Sequence, residues 1–82
     1  DYLSKLSEKP IRSTFVSLCD KVHNAEAILN DKLLFGDSVF DRFNQGKEGT
    51  IWYYEALSEI FSKRIPGNLS KRLDVAVTKF KA

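Results

Sequence analysis

Eighty-two residues with 43% hydrophobic and 29% charged side chains describe one small globular domain, residues 1–82, and exclude a disordered tail. Thirteen Lys and Arg stand against 11 Asp and Glu, a formal net charge of +2 spread along the chain without a block of like charges, too weak for a nucleic-acid footprint. No apolar run approaches the roughly 18 residues of a membrane span.

The single cysteine, Cys19, excludes an intrachain disulfide and fits a reducing, cytoplasmic setting; its place in an apolar run predicts that it is core. The chain has no signal-peptide pattern. It lacks methionine and begins Asp1-Tyr2-Leu3, inside what reads as an amphipathic segment, from which a longer parent chain is expected. A domain of this size buries only about two-thirds of its unfolded surface, so a missing partner surface would matter to its stability.

Turn signals divide the sequence into about five helical segments with no strand, an all-α bundle. The first, residues 1–8, places Tyr2, Leu3 and Leu6 on one face and ends before Pro10, which disfavours helical geometry in the residue ahead of it. The second, residues 13–34, has the strongest periodicity. Phe15, Leu18, Val22, Ala25, Leu29 and Leu33 recur at steps of three and four and predict its core face. Ser13 or Thr14 is the expected N-cap, and Gly36 the left-handed position that ends the helix.

Asp37 is expected to cap a short third helix whose apolar positions are Val39, Phe40 and Phe43, with Asn44-Gln45-Gly46 as its stop. After the loop 46–50, a fourth helix is predicted over 50–64 with Tyr54, Leu57, Phe61 and Ile65 inward, ended by Ile65-Pro66-Gly67. The last helix, capped by Asn68 or Ser70, turns Leu69, Leu73, Ala76, Val77 and Phe80 inward. Connections this short favour antiparallel neighbours.

On the long second helix, a wheel at 100° per residue puts Asp20, Asn24, Ala27 and Asp31 within about 60° of one another, opposite the apolar stripe. An Asp-Asn pair at i, i+4 can present a carboxylate oxygen to a cation and an amide to a sugar or base. Spacing alone fits a solvated polar face at least as well.

Other candidates are weaker. His23 is a lone histidine, more often structural than catalytic. Lys47 lies in a glycine-bordered loop, but Asp41 and Glu48 occupy positions where a Walker A loop needs glycine and Ser or Thr. Arg42 stands where a calcium loop beginning at Asp31 needs a bidentate glutamate. Trp52, Tyr53 and Tyr54 suit ligand stacking but more often build a core.

The string Ser17-Leu18-Cys19-Asp20-Lys21-Val22-His23-Asn24 resembles the aliphatic-Ala-Asp-Lys/Arg-Leu-His-Asn motif of the HD-superfamily metal-dependent phosphohydrolases. Residues 36–43 and 46–54 are similar to the region following that motif in RelA/SpoT-like stringent-response hydrolases of guanosine polyphosphates. The resemblance covers residues 12–61; Cys19 replaces the usual alanine, and Phe40 stands where tryptophan is expected.

The resemblance implies the C-terminal part of an HD-domain fold. It implies Asp20 as the last metal ligand, the others being a histidine and a His-Asp pair from earlier helices, none of which this sequence contains. It further implies Asn24 as a nucleotide contact and Tyr53 as an aromatic lining the same pocket. The implied reaction is hydrolysis of a phosphoester, plausibly in guanosine tetraphosphate or a related nucleotide. In it a divalent metal, Mn2+ in those hydrolases, activates water and polarises a phosphoryl oxygen. The metal is expected only together with the N-terminal half, so this chain alone is expected to be inactive. The alternative is a non-catalytic helical module that binds a protein partner, an N-terminal half or a second copy through uncovered apolar surface.

Overall fold

The computed structural model describes Leu3, Lys5 and residues 8–81. The first expected helix therefore lies largely outside the described residues. The remainder folds as three α-helices, α1 (Ile11–Phe35), α2 (Gly46–Arg64) and α3 (Asn68–Phe80), with a 3-10 segment, Gly36–Arg42, between the first two. The described residues contain no strand, in keeping with the all-α expectation. Among the described residues three α-helices stand where about five helical segments were expected over the whole chain, and the third of those segments is 3-10.

Contacts at the helix ends set the topology. The Arg64 guanidinium at the end of α2 donates to Thr14 Oγ1 at the start of α1 (3.2 Å), so α1 and α2 are antiparallel. Ser58 Oγ donates to Asp74 Oδ1 (3.4 Å), and Lys81 pairs with Glu55, so α3 is antiparallel to α2. Helices α1 and α3 consequently run parallel, joined by a two-bond contact from Arg72 to Glu26 (3.0 and 2.6 Å).

The core draws on every element. Leu18, Val22, Ala25 and Ile28 come from α1, Val39 and Phe40 from the 3-10 segment, Tyr54, Leu57 and Phe61 from α2, and Leu73, Ala76, Val77 and Phe80 from α3. Phe80 takes Phe40 and Tyr54 edge-on, with centroid separations of 5.8 and 5.7 Å, the geometry ring quadrupoles favour. The inward residues expected of the last two helices are borne out, with Leu69 and Ile65 partly buried at the margin.

The expected stripe of α1 needs correction. Leu18, Val22 and Ala25 are buried as expected and Leu29 is partly buried, but Phe15 and Leu33 are 45% and 78% exposed, and Thr14 and Ile28 complete the buried line. Length explains part of this. At 1.5 Å per residue the 25 residues of α1 extend about 37 Å, whereas the 13 of α3 extend about 20 Å. Among the described residues the ends of α1 thus outrun their cover, leaving Ile11, Phe15 and Val16 exposed at one end and Leu33, Leu34 and Phe35 at the other. Cys19, expected in the core, is exposed.

The expected caps also change. Helix α1 starts at Ile11, directly after Pro10, and makes no side-chain cap. Proline fixes φ and needs no N–H partner at a helix entrance. Thr14 Oγ1 instead donates back to the Pro10 carbonyl (3.1 Å). Gly36 does take a positive φ, 74°, and its N–H closes on the Lys32 carbonyl, as a glycine at a helix C-terminus can.

Asp37 caps nothing. Its carboxylate accepts from Lys47 (2.6 Å) and pairs with Lys32 (3.4 Å). The hydrogen bond from Lys47, ahead of the other contributions, holds the Asp37 carboxyl below its ordinary value. Helix α2 begins at Gly46, so the expected loop is its first turn. Gly67 occupies the position before α3, and the Ser70 hydroxyl donates to the Gly67 carbonyl (3.1 Å) instead of capping. Among the described residues no helix is long and apolar enough to cross a membrane.

Candidate functional site

The polar line of α1 borders a groove. Asn24 and Asp31, with Ala27 and Ile28, form one wall of a recess of about 400 Å³, and Arg42, Phe43 and Tyr54 close it from the other side. Its floor is apolar and aromatic, while its rim carries an amide, a carboxylate and a guanidinium. The segment after Gly36 folds back along α1 because Val39 and Phe40 are buried, and that return delivers Arg42 opposite Asp31.

Two protein acceptors hold Arg42. Its Nε–H donates to the Val39 carbonyl (3.2 Å), and its Nη2 donates to Asp31 Oδ2 (3.0 Å). The guanidinium carbon lies 6.0 Å from the Phe43 ring centroid, at the outer limit of a cation–π contact. Both partners of the ion pair keep solvent exposure, 58% for the Arg42 side chain and 35% for Asp31, so the pair adds little to stability.

Asp20 is exposed one turn before the half-buried Asn24. Its charge reaches Tyr54, whose phenol is pushed above its ordinary value of 10.0 chiefly by burial and further by Tyr53 and Asp20. Tyr53 lies in the wall of a neighbouring recess of about 140 Å³, with Phe43, Gln45, Thr50 and Tyr54. The two recesses share Phe43 and Tyr54. The buried Thr50 hydroxyl has no hydrogen-bond partner among the described residues.

The sequence-derived residues therefore divide. Asp20 and Asn24 lie on one line of α1, and Asn24 enters the larger recess. Tyr53 lines the smaller one, and its neighbour Tyr54, read from sequence as core, forms the wall common to both. Arg42 and Phe43 were given no binding role by sequence. Trp52 and His23 are exposed, and Lys47 is engaged by Asp37.

A larger groove of about 630 Å³ runs between α1 and α3, over Leu29, Val75 and Ala76 and beside Lys71, Arg72 and Lys79. It contains none of these residues. Volume does not identify a site: that groove also carries an amide, Asn68, and the Arg72–Glu26 ion pair, but no aromatic ring, and the 400 Å³ recess is the one of the two that adds aromatic rings to an amide and an ion pair.

Among the described residues no group of three or more His, Cys, Asp or Glu side chains can hold a metal ion. One carboxylate offers at most two oxygens to an ion that takes at least four ligands, so these residues alone do not fit a metal centre. No protein-family model matches the chain, and no curated protein matches it in sequence.

Proposed function

We propose that this chain is the C-terminal portion of an HD-type metal-dependent phosphohydrolase acting on a nucleotide phosphoester of the guanosine tetraphosphate class. Asp20 supplies one metal ligand, and Asn24 contacts the nucleotide. The observation that carries the reading is the placement of Asp20 and Asn24 one turn apart, with Asn24 opening into a recess walled by Tyr54 and Phe43. That recess offers a planar group two aromatic surfaces and an amide able both to donate and to accept.

The metal, Mn2+ on this reading, requires ligands beyond those of the described residues, and the isolated chain is predicted not to turn over. The test uses the product of the complete gene. Manganese-dependent release of phosphate or diphosphate from a nucleotide panel is measured with and without Asp20→Ala. Loss of turnover and of metal binding in the variant is expected; full activity with retained metal binding refutes the assignment.

The exposed apolar ends of α1 favour a second reading, a non-catalytic helical module that associates through them. Ile11, Phe15 and Val16 form one such patch, and Leu33, Leu34 and Phe35 the other. Sedimentation across a dilution series tests it. Self-association abolished by Phe15→Ser together with Val16→Ser supports this reading, and a monodisperse monomer that captures no partner chain counts against it.

A further inference from the structure

Arg42 is held on two sides yet not consumed. A guanidinium has five N–H donors, and the bonds to Val39 and Asp31 use two. The remaining donors include both hydrogens of Nη1 and one of Nη2, the pair of nitrogens that engages a phosphate in two parallel bonds. The group stands at the mouth of the 400 Å³ recess with 58% of its side chain exposed. Among the described residues Arg42 is the sole cationic side chain lining the recess, and the Asn24 amide lines it too.

Asp31 has two opposed effects on it. The carboxylate fixes the direction of the fork through the 3.0 Å bond, and it places a negative charge beside any anion the fork would bind. An asparagine there keeps a carbonyl acceptor and removes the charge.

We propose that Arg42 is the phosphate-binding residue of this recess and that Asp31 is its internal competitor. A nucleotide then lays its base or sugar against Phe43, Tyr54 and Asn24 and its phosphates against the free edge of Arg42. The inference rests on the nucleotide reading above and extends it to a residue that reading does not use. It carries a prediction of opposite signs for two partners of one ion pair, which a purely structural salt bridge does not.

The experiment is calorimetric titration of the complete gene product with guanosine and with guanosine tetraphosphate, at low and at raised salt. Arg42→Gln should weaken the tetraphosphate about tenfold, the scale of a lost charge-assisted contact, and leave guanosine unchanged. Arg42→Lys, which keeps the charge but not the fork, should fall between. Asp31→Asn should tighten the tetraphosphate about threefold, as befits an exposed charge, and salt should reduce that gain. Circular dichroism confirms that each variant is folded.

Unchanged tetraphosphate affinity in Arg42→Gln, equal weakening of guanosine, weaker binding in Asp31→Asn, or no binding of either ligand each overturns the proposal. The hydrolase reading fails separately, through Asp20→Ala. Turnover lost in Asp20→Ala with unchanged binding in Arg42→Gln refutes only the role of Arg42, whereas split affinities without turnover refute only the hydrolysis.

Discussion

Replacing Phe40 with alanine should remove a large part of the stability of the domain, although Phe40 lies in a 3-10 connection. The side chain is fully buried and meets Phe80 edge-on at 5.8 Å. Truncating a buried phenylalanine costs about 3–5 kcal/mol in lost transfer energy and residual cavity, of which roughly 0.5–1.5 kcal/mol reflects the edge-on pair. At about 0.05–0.15 kcal/mol per residue, a chain of this length has roughly 4–12 kcal/mol in all. Phe40→Leu refills much of the space and should cost less than about 1.5 kcal/mol. Urea unfolding followed by far-UV circular dichroism reads both variants. With an m value of about 1 kcal/mol per molar, the alanine midpoint should fall by roughly 3 M at unchanged m. A loss below about 1 kcal/mol would refute the claim that this segment is part of the core and not a loop laid over it.

Three further outcomes follow from the same geometry. Leu33→Ser should change stability by less than about 0.5 kcal/mol, as an exposed site does, while Ile28→Ala should cost about 2–4 kcal/mol in the same urea assay; the reverse order would restore the stripe that hydrophobicity alone suggests. Tyr54 should ionise above the ordinary phenol value in an ultraviolet pH titration, and Asp20→Asn should move it part of the way back. Because the folded-state value is raised, the stabilisation from the neutral phenol is present below about pH 10 and lost as pH rises through the folded value; Tyr54→Phe should abolish that alkaline loss. Val16→Asp should leave the melting temperature of the isolated chain nearly unchanged, since Val16 is exposed, yet, on the hydrolase reading, abolish metal-dependent turnover of the complete gene product.

Sequence periodicity located α2 and α3 well because their apolar residues form one line each. Tyr54, Leu57 and Phe61, and then Leu73, Ala76, Val77 and Phe80, are the buried lines of their helices; Ile51, Tyr53 and Ile60 flank the first, partly buried, and only Trp52 and Val75 among the large apolar residues of these two helices are exposed. Helix α1 is apolar on several sides. Its Ile11, Phe15, Val16, Cys19, Leu33 and Leu34 allow more than one line at steps of three and four, and hydrophobicity could not choose between them. Packing chose the line containing Thr14, a residue no apolar scale selects, because Arg64 and the Pro10 carbonyl satisfy its hydroxyl. The N-caps were illegible for a similar reason, unlike the Gly36 terminus: Pro10 and Gly67 set the helix starts through backbone conformation, without the side-chain hydrogen bonds by which Ser, Thr and Asp announce a cap.

At the site, the line through Asp20, Asn24 and Asp31 required only the helical repeat and was legible. The opposite wall was not, since Arg42 and Phe43 reach α1 only after the chain reverses at Gly36 and buries Val39 and Phe40. The same helical repeat ties the two proposed readings together. Val16 stands one turn before Asp20, so both fall on one line of α1, and Val16 is among the exposed apolar residues. An element that covered Val16 would therefore bring its own side chains within a turn of Asp20, where a lone carboxylate lacks the further ligands a metal requires. On the two proposed readings, association through the apolar end of α1 and completion of a metal site at Asp20 would both follow from covering the same surface.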